Sequence, residues 1–344
     1  MWSTLDVGPS IVLIFAPDAT RELGLRIARV LGVDLAPHEE REFEDGEHKA
    51  RPLVSVRGRD VYIVQALYGG PVASPDDKLC RLLFFSGAVR DAGVARVTAV
   101  VPYLAYARKD RRTQSRDPVT TRYVAQLIEA VGVDRVAVVD VHNLAAFENA
   151  FRCPTVHLEA RPLLVDHLAP LLRGHEIAVV SPDAGGVKRA ERLREALARA
   201  LDTDVSLGFM EKRRSDGVVR GQDAVVGAIE GRVAVIVDDL VSTGTTLARA
   251  AAVCRSSGAS AVHAAVTHGL FTGDADRVVR ESGFERLIVT NTVPPFRLKP
   301  ETVEAHLTVV DAAPLLAEAI RRLHHEEPLE TLRETGVSQT RSPL

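Results

Sequence analysis

Residues 233–251 read VAVIVDDLVSTGTTLARAA, and their reading decides the fold. The run 233–237 is wholly aliphatic and short, the pattern of a strand buried on both faces. Asp238 and Asp239 close it, Ser242-Thr243-Gly244-Thr245-Thr246 makes a tight turn, and a helix-forming segment follows. A strand, a turn at its carboxyl end and a helix together form the repeating half of a parallel α/β sheet. Ligands bind such sheets beyond the carboxyl ends of the strands, so the acid pair and the turn stand where a ligand belongs.

Working outward, the same alternation runs through most of the chain. Strands are predicted at 11–15, 61–64, 97–101, 136–139, 177–180, 233–237, 261–266 and 287–289. Helices are predicted at 19–33, 78–92, 119–132, 161–173, 187–200, 243–257 and 312–323. In the first helix Leu23, Ile27 and Leu31 recur at i, i+4 and i+8, which gives one apolar stripe. So many strands suit two sheets better than one. The stretches RVAVVDVH (135–142) and RVAVIVDD (232–239) hint at a duplication. The expected architecture is α/β, two doubly wound parallel-sheet domains over 1–155 and 156–326, with a mobile polar tail over 327–344.

Composition narrows the function classes. The 344 residues are 46% hydrophobic but only 5% aromatic, so the core is aliphatic. A net charge of −3 argues against non-specific nucleic-acid binding, which relies on basic surface. The three cysteines, Cys80, Cys153 and Cys254, form no CxxC pair, and neither a disulfide framework nor a zinc site is expected. The first residues lack a basic leader pattern, and no apolar run reaches the ~20 residues a bilayer requires. A cytoplasmic protein without membrane or nucleic-acid partners is the expectation.

The turn carries the clearest chemistry. Backbone N–H groups at a helix start are unpaired and sit at the positive end of its dipole, so they suit a phosphate. The hydroxyls of 242–246 add donors, and Gly244 permits close backbone approach. An STG triplet alone reads more readily as a plain helix N-cap than as a ligand site. The acid pair just upstream favours a ligand site, because carboxylates suit sugar hydroxyls or a divalent cation. No GxxxxGK[ST] loop occurs.

This segment resembles the phosphoribosyl-diphosphate site of type I phosphoribosyltransferases. The resemblance narrows with FEDGE (43–47), VRGRDVYIVQ (56–65), VVPYLAYARKDRR (100–112), GVDRVAVVDVH (132–142), SPDAGGVKRA (181–190), EKRR (211–214) and THGLFTG (267–273). In this order they resemble ribose-phosphate diphosphokinase, that is, phosphoribosyl diphosphate synthetase, over roughly residues 10–325. The resemblance implies transfer of the diphosphoryl group of ATP to O1 of ribose 5-phosphate, with Mg²⁺ as cofactor. It implies that Arg108, Lys109 and Asp110 meet ATP together with Phe43, Asp45 and Glu47 of a neighbouring subunit, and hence a homo-oligomer. His142 and Asp183 match the magnesium-positioning residues. Lys212 and Arg214 match the catalytic cations, with Arg220 assisting. Asp238, Asp239, Ser242, Thr243, Gly244, Thr245 and Thr246 match the ribose 5-phosphate site.

Three positions depart from the common pattern of that family. Lys109 stands where Gln is frequent, Ser242 where Asp is frequent, and Thr245 where Gly is frequent. A β-branched Thr245 is expected to resist a positive φ and to crowd a bound phosphate. Two other readings stay open at this point: a non-catalytic regulatory paralog of such a synthetase, and a phosphoribosyltransferase. The first would be expected to lose the loop cations, and the second would not need the nucleotide segments.

Overall fold

The structure, a computed structural model, describes residues 12–211 and 224–333. The chain forms two compact units, and within the described residues these are 12–158 with 313–329, and 159–312 with 330–333.

In the first unit the elements are β1 (Leu13–Phe15), α1 (Arg21–Leu31), β2 (His38–Glu42), β3 (His48–Pro52), β4 (Asp60–Val64), α2 (Pro75–Asp91), β5 (Arg96–Val101), α3 (Thr120–Ala130), β6 (Arg135–Val139), α4 (Leu144–Ala150) and β7 (Thr155–Leu158). A five-stranded sheet runs β1-β4-β5-β6-β7, and all its pairings are parallel. Every residue of β4 is buried, as expected for a strand covered on both faces. Local chemistry sets the element ends. Ser74 and Asp77 exchange hydrogen bonds in a capping box, and Pro75 opens α2, where its missing N–H costs nothing. The strands β2 and β3 form a separate antiparallel ribbon.

The second unit holds α5 (Arg161–Leu172), β8 (Ile177–Ser181), α6 (Val187–Leu201), β9 (Val205–Glu211), β10 (Ala224–Val226), β11 (Val233–Val241), α7 (Thr245–Ser256), β12 (Ala261–Gly269), α8 (Ala275–Glu281), β13 (Arg286–Thr290), α9 (Pro300–His306) and β14 (Leu307–Val310). Its seven-stranded sheet has the order β10-β9-β8-β11-β12-β13-β14. The winding direction reverses between β8 and β11, which makes the crevice at their carboxyl ends the topological switch point. Successive residues of β11 feed opposite cores. Ala234 and Ile236 pack with α7 residues such as Leu247 and Ala250, whereas Val233, Val235 and Val237 pack with Leu193 and Leu197 of α6. The unbroken aliphatic run therefore reflects burial on two sides.

The structure departs from expectation in particular places. The boundary expected between residues 155 and 156 falls inside β7, which pairs with β6 in the first sheet. β10 runs antiparallel to β9 at one edge of the otherwise parallel second sheet. The last helix, α10 (Ala313–His324), follows the second domain in sequence but packs in the first unit. Its anchor is polar as well as apolar: His324 Nδ1 lies 2.9 Å from Asp60 Oδ2, and Arg96 donates to both Asp60 oxygens at 2.9 and 2.6 Å. The start of the expected tail is tied down, since Arg321 pairs with Glu327 at 2.6 Å and Arg322 donates to Pro328 O at 2.8 Å. Residues 334–344 of that tail lie outside the described residues.

Candidate active site

The turn after β11 leads into α7 through a left-handed glycine, a geometry that can present backbone N–H groups to an anion. Gly244 takes the left-handed conformation at φ 81°, and a Cβ there would stand 3.2 Å from Val278 Cγ1. The left-handed position thus falls on glycine. Thr245 is the first residue of α7 with no positive φ, so the expected strain at Thr245 is absent. No side chain caps α7, which leaves its first-turn N–H groups to the turn and to a ligand. Ser242 Oγ bonds Thr272 Oγ1 at 2.8 Å, and Thr272 N donates to Ser242 O at 2.9 Å, fixing the entry to the turn. Thr243 and Thr245 hydroxyls meet at 3.0 Å and are exposed, as is Thr246.

Directly upstream, Asp238 and Asp239 share one guanidinium. Arg189 of α6 places Nη1 3.0 Å from Asp238 Oδ1 and Nη2 3.1 Å from Asp239 Oδ1. Asp239 N–H also donates to Asp238 Oδ1 at 2.8 Å. The Asp239 side chain is only 4% exposed and Asp238 21%. Burial pushes the Asp238 carboxyl up to about 7, the like charge of Asp239 adds to that rise, and Arg189 opposes it. Within SPDAGGVKRA, spacing alone gives Arg189 no role. The one available signal was a basic residue one turn into a helix that follows a neighbouring strand end.

Asp183 stands in the loop between β8 and α6, exposed, and its Oδ1 accepts Gly186 N–H at 2.9 Å. It belongs to the second unit. His142 belongs to the first, exposed just past β6. Its neighbour Asn143 caps α4 and donates from Nδ2 to Asp110 Oδ2 at 2.6 Å. That bond joins the His142 turn to the 103–112 loop, which nothing in the sequence spacing foretold.

Within this loop the predicted nucleotide-binding residues are unequal. Arg108 is exposed. Lys109 Nζ, in contrast, donates to Asp117 Oδ2 at 2.6 Å and to Thr113 Oγ1 at 3.3 Å. Asp117 also accepts from Thr113 N and Gln114 N, both at 3.0 Å, and these bonds, led by that from Lys109, hold its carboxyl well below the usual range. Phe43, Asp45 and Glu47 lie at the tip of the β2–β3 ribbon, closed by Phe43 N–H to Glu47 O at 2.7 Å. Arg41 rests over the Phe43 ring at 4.9 Å. Arg81 of α2 ties the ribbon down through Glu42 at 2.7 Å and Glu40 at 3.5 Å. The predicted catalytic cations Lys212 and Arg214, and Arg220 with them, lie outside the described residues.

Among the described residues, Asp18, His38 and Glu40 bring their ligand-type atoms within 4.8 Å of one another. The grouping is satisfied internally. Glu40 Oε1 accepts Asp18 N–H at 2.6 Å and lies 3.0 Å from His38 Nε2, while Arg81 approaches Oε2. An adjacent guanidinium disfavours a cation there.

The chain matches known proteins along most of its length. Residues 12–132 match the family described as the N-terminal domain of ribose phosphate pyrophosphokinase, and 214–333 match the phosphoribosyl synthetase-associated domain. A ribose-phosphate pyrophosphokinase of Rhodopirellula baltica is 36% identical over 93% of this chain and 97% of its own length. One from a Nostoc species is 38% identical over 93% of this chain and 92% of its own. The crystal structure of phosphoribosylpyrophosphate synthetase from Mycobacterium smegmatis superimposes with a TM-score of 0.82 at 32% identity, covering 92% of this chain and 99% of that one.

Proposed function

The chain belongs to the ribose-phosphate pyrophosphokinase family, and we propose that it transfers the diphosphoryl group of MgATP to O1 of ribose 5-phosphate, giving 5-phosphoribosyl 1-diphosphate and AMP. The observation that carries this reading is the switch-point crevice of the second unit. There, an acid pair for hydroxyls adjoins an uncapped helix start for a phosphate.

In this reading the 5-phosphate sits on Ser242–Thr246 against the first turn of α7. Asp238 and Asp239 accept hydrogen bonds from the sugar hydroxyls. The anomeric hydroxyl attacks the β-phosphorus of ATP in line. The new bond is O1 to Pβ, the bond from Pβ to the oxygen bridging Pα breaks, AMP leaves with that oxygen, and the hydroxyl proton passes to solvent. Chemistry of this kind needs little beyond placement and charge neutralisation. Lys212 and Arg214 are assigned that second task on the family match alone.

On the nucleotide side, Phe43 offers an aromatic face to adenine, Asp45 and Glu47 accept from polar edges, and Arg108 grips phosphate. Lys109, held by Asp117, and Asp110, which accepts from Asn143 Nδ2 of the α4 cap, act here mainly by shaping and anchoring the loop. The exposed ribbon tip fits donation to another copy of the chain, hence a homo-oligomer. Asp183 and His142 are exposed and offer a carboxylate oxygen and an imidazole. Asp183 belongs to the second unit and His142 to the first, and their assignment to the Mg²⁺ of MgATP rests on the family match, with Mg²⁺ keeping water and phosphate oxygens as its other ligands. When bound, it would offset the negative charge of the phosphates. A cytoplasmic setting agrees with three cysteines left free. No described helix is long and apolar enough to cross a membrane.

The match of residues 12–132 to a synthetase N-terminal domain leaves no support for the phosphoribosyltransferase reading. The deciding assay is AMP release from MgATP with and without ribose 5-phosphate. Sugar-dependent AMP without ADP is expected. Absence of AMP while both substrates bind would turn the assignment toward a regulatory paralog.

A further inference from the structure

Resting on the reading that Asp238 and Asp239 receive the sugar, we propose that Arg189 is a positioning residue for ribose 5-phosphate, a clamp that holds both carboxylates in the orientation that accepts its hydroxyls. Three observations meet at this side chain. First, one planar guanidinium spans two carboxylates, with Nη1 on Asp238 Oδ1 at 3.0 Å and Nη2 on Asp239 Oδ1 at 3.1 Å. A lysine is a single point charge and does not reproduce that fork. Asp238 Oδ1 also accepts Asp239 N–H, so this oxygen is committed to the scaffold and Oδ2 is the one presented to a ligand.

Second, the loop that launches α6 makes room for the clamp. A Cβ on Gly186 would stand 2.6 Å from Ser181 Oγ and 3.5 Å from Arg189 Nη1. Ser181 Oγ itself donates to Asp183 O at 2.6 Å, which sets the turn through which the chain leaves β8. The SPDAGG segment therefore does more than present Asp183. It leads the chain into a helix whose third residue, Arg189, reaches across to the end of the adjacent strand β11.

Third, the need for a counter-ion is severe. Two neighbouring carboxylates, one of them almost wholly buried, repel each other and resist ionisation. Hydroxyl recognition by accepting oxygens requires them to stay charged and fixed, and Arg189 supplies the opposing charge from within the same unit. Arg189 thus acts through the acid pair and leaves the reacting atoms alone.

The test uses the full chain with Mg²⁺ and α,β-methylene ATP, which lacks the bridging oxygen, and titrates ribose 5-phosphate by calorimetry. Arg189→Gln is expected to weaken the sugar phosphate about 10- to 100-fold, the size of a lost charge-assisted contact. Affinity for the nucleotide analogue should be unchanged, and Arg189→Lys should recover part of the loss. Because Arg189 works through both carboxylates, the double variant Asp238→Asn/Arg189→Gln should lose less than the sum of the two single losses. Additive losses in that cycle, wild-type affinity in Arg189→Gln, or equal weakening of both ligands would each overturn the clamp. Should Arg189→Gln fail to fold, Arg189→Lys carries the comparison, with intermediate affinity expected and wild-type affinity fatal to the idea. AMP formation by the wild type is scored separately. Its absence would sink the functional reading, while the sugar-binding cycle would still judge the clamp.

Discussion

Lys109 Nζ lies 2.6 Å from Asp117 Oδ2, so the cation at the centre of the nucleotide-side loop is held by the loop's own turn. Asp117 takes three further donors, Thr113 N, Thr113 Oγ1 and Gln114 N. Removing Lys109 leaves that set in place, whereas neutralising Asp117 loosens all of it. Asp117→Asn is therefore expected to raise the KM for ATP about tenfold, and Lys109→Gln about twofold or less. The KM for ribose 5-phosphate should hold in both. Steady-state kinetics with each substrate varied checks this, and a larger effect from Lys109→Gln would mean the ammonium binds nucleotide directly.

At the turn after β11 the left-handed position falls on Gly244, the residue expected to allow close backbone approach, and not on Thr245. Gly244→Ala forces a Cβ into the left-handed region and to within 3.2 Å of Val278 Cγ1. It should cost about 1–2 kcal/mol in urea unfolding and raise the KM for ribose 5-phosphate. Thr245→Gly, at a helix start, should cost at most about 1 kcal/mol. Equal losses for the two would contradict the placement of the turn.

Acid should erase the contribution of one buried carboxylate. Burial pushes Asp60 up, but hydrogen bonds from Arg96 and His324 outweigh it and hold the carboxyl below the usual aspartate range. In the unfolded chain an aspartate titrates at about 3.9. The native state thus binds fewer protons between the folded value and that one, so the stabilisation is complete above about pH 4 and fades as pH falls further. Asp60→Asn should cost about 2–3 kcal/mol at pH 7. Its melting temperature should converge with wild type under acid, and a gap that persists undiminished would argue against the ionised pairing.

Lys212→Ala is expected to abolish AMP formation while both substrates still bind. Turnover near the wild-type rate would remove this residue from the reaction.

How much of this was legible depends on how local the cause was. The strand at 233–237 and the turn at 242–246 declare themselves in consecutive letters, because an aliphatic run and a Gly-bearing hydroxyl turn are short-range signals. The β2–β3 ribbon hides for the opposite reason. Its strands read HEERE and HKARP, with no apolar alternation, and cross-strand charge pairs such as Glu39 with Arg51 at 2.7 Å support it. The bond between Arg189 and Asp238 joins residues 49 positions apart, so strand order alone brings it about. Likewise helix α10 was evident from its apolar period, but its period does not say which sheet it covers. The loop cations were named from the resemblance, and the structure's described residues do not include them.

The return of α10 to the first unit also orders events during synthesis. The ribosome releases Asp60 early and His324 only after the whole of 159–312 has been made. Until then β4 lacks the helix that pairs with Asp60, so the first unit cannot be completed before most of the second has been made. Among the described residues each unit thus takes its closing segment from the far end of the chain, 313–329 for the first and 330–333 for the second.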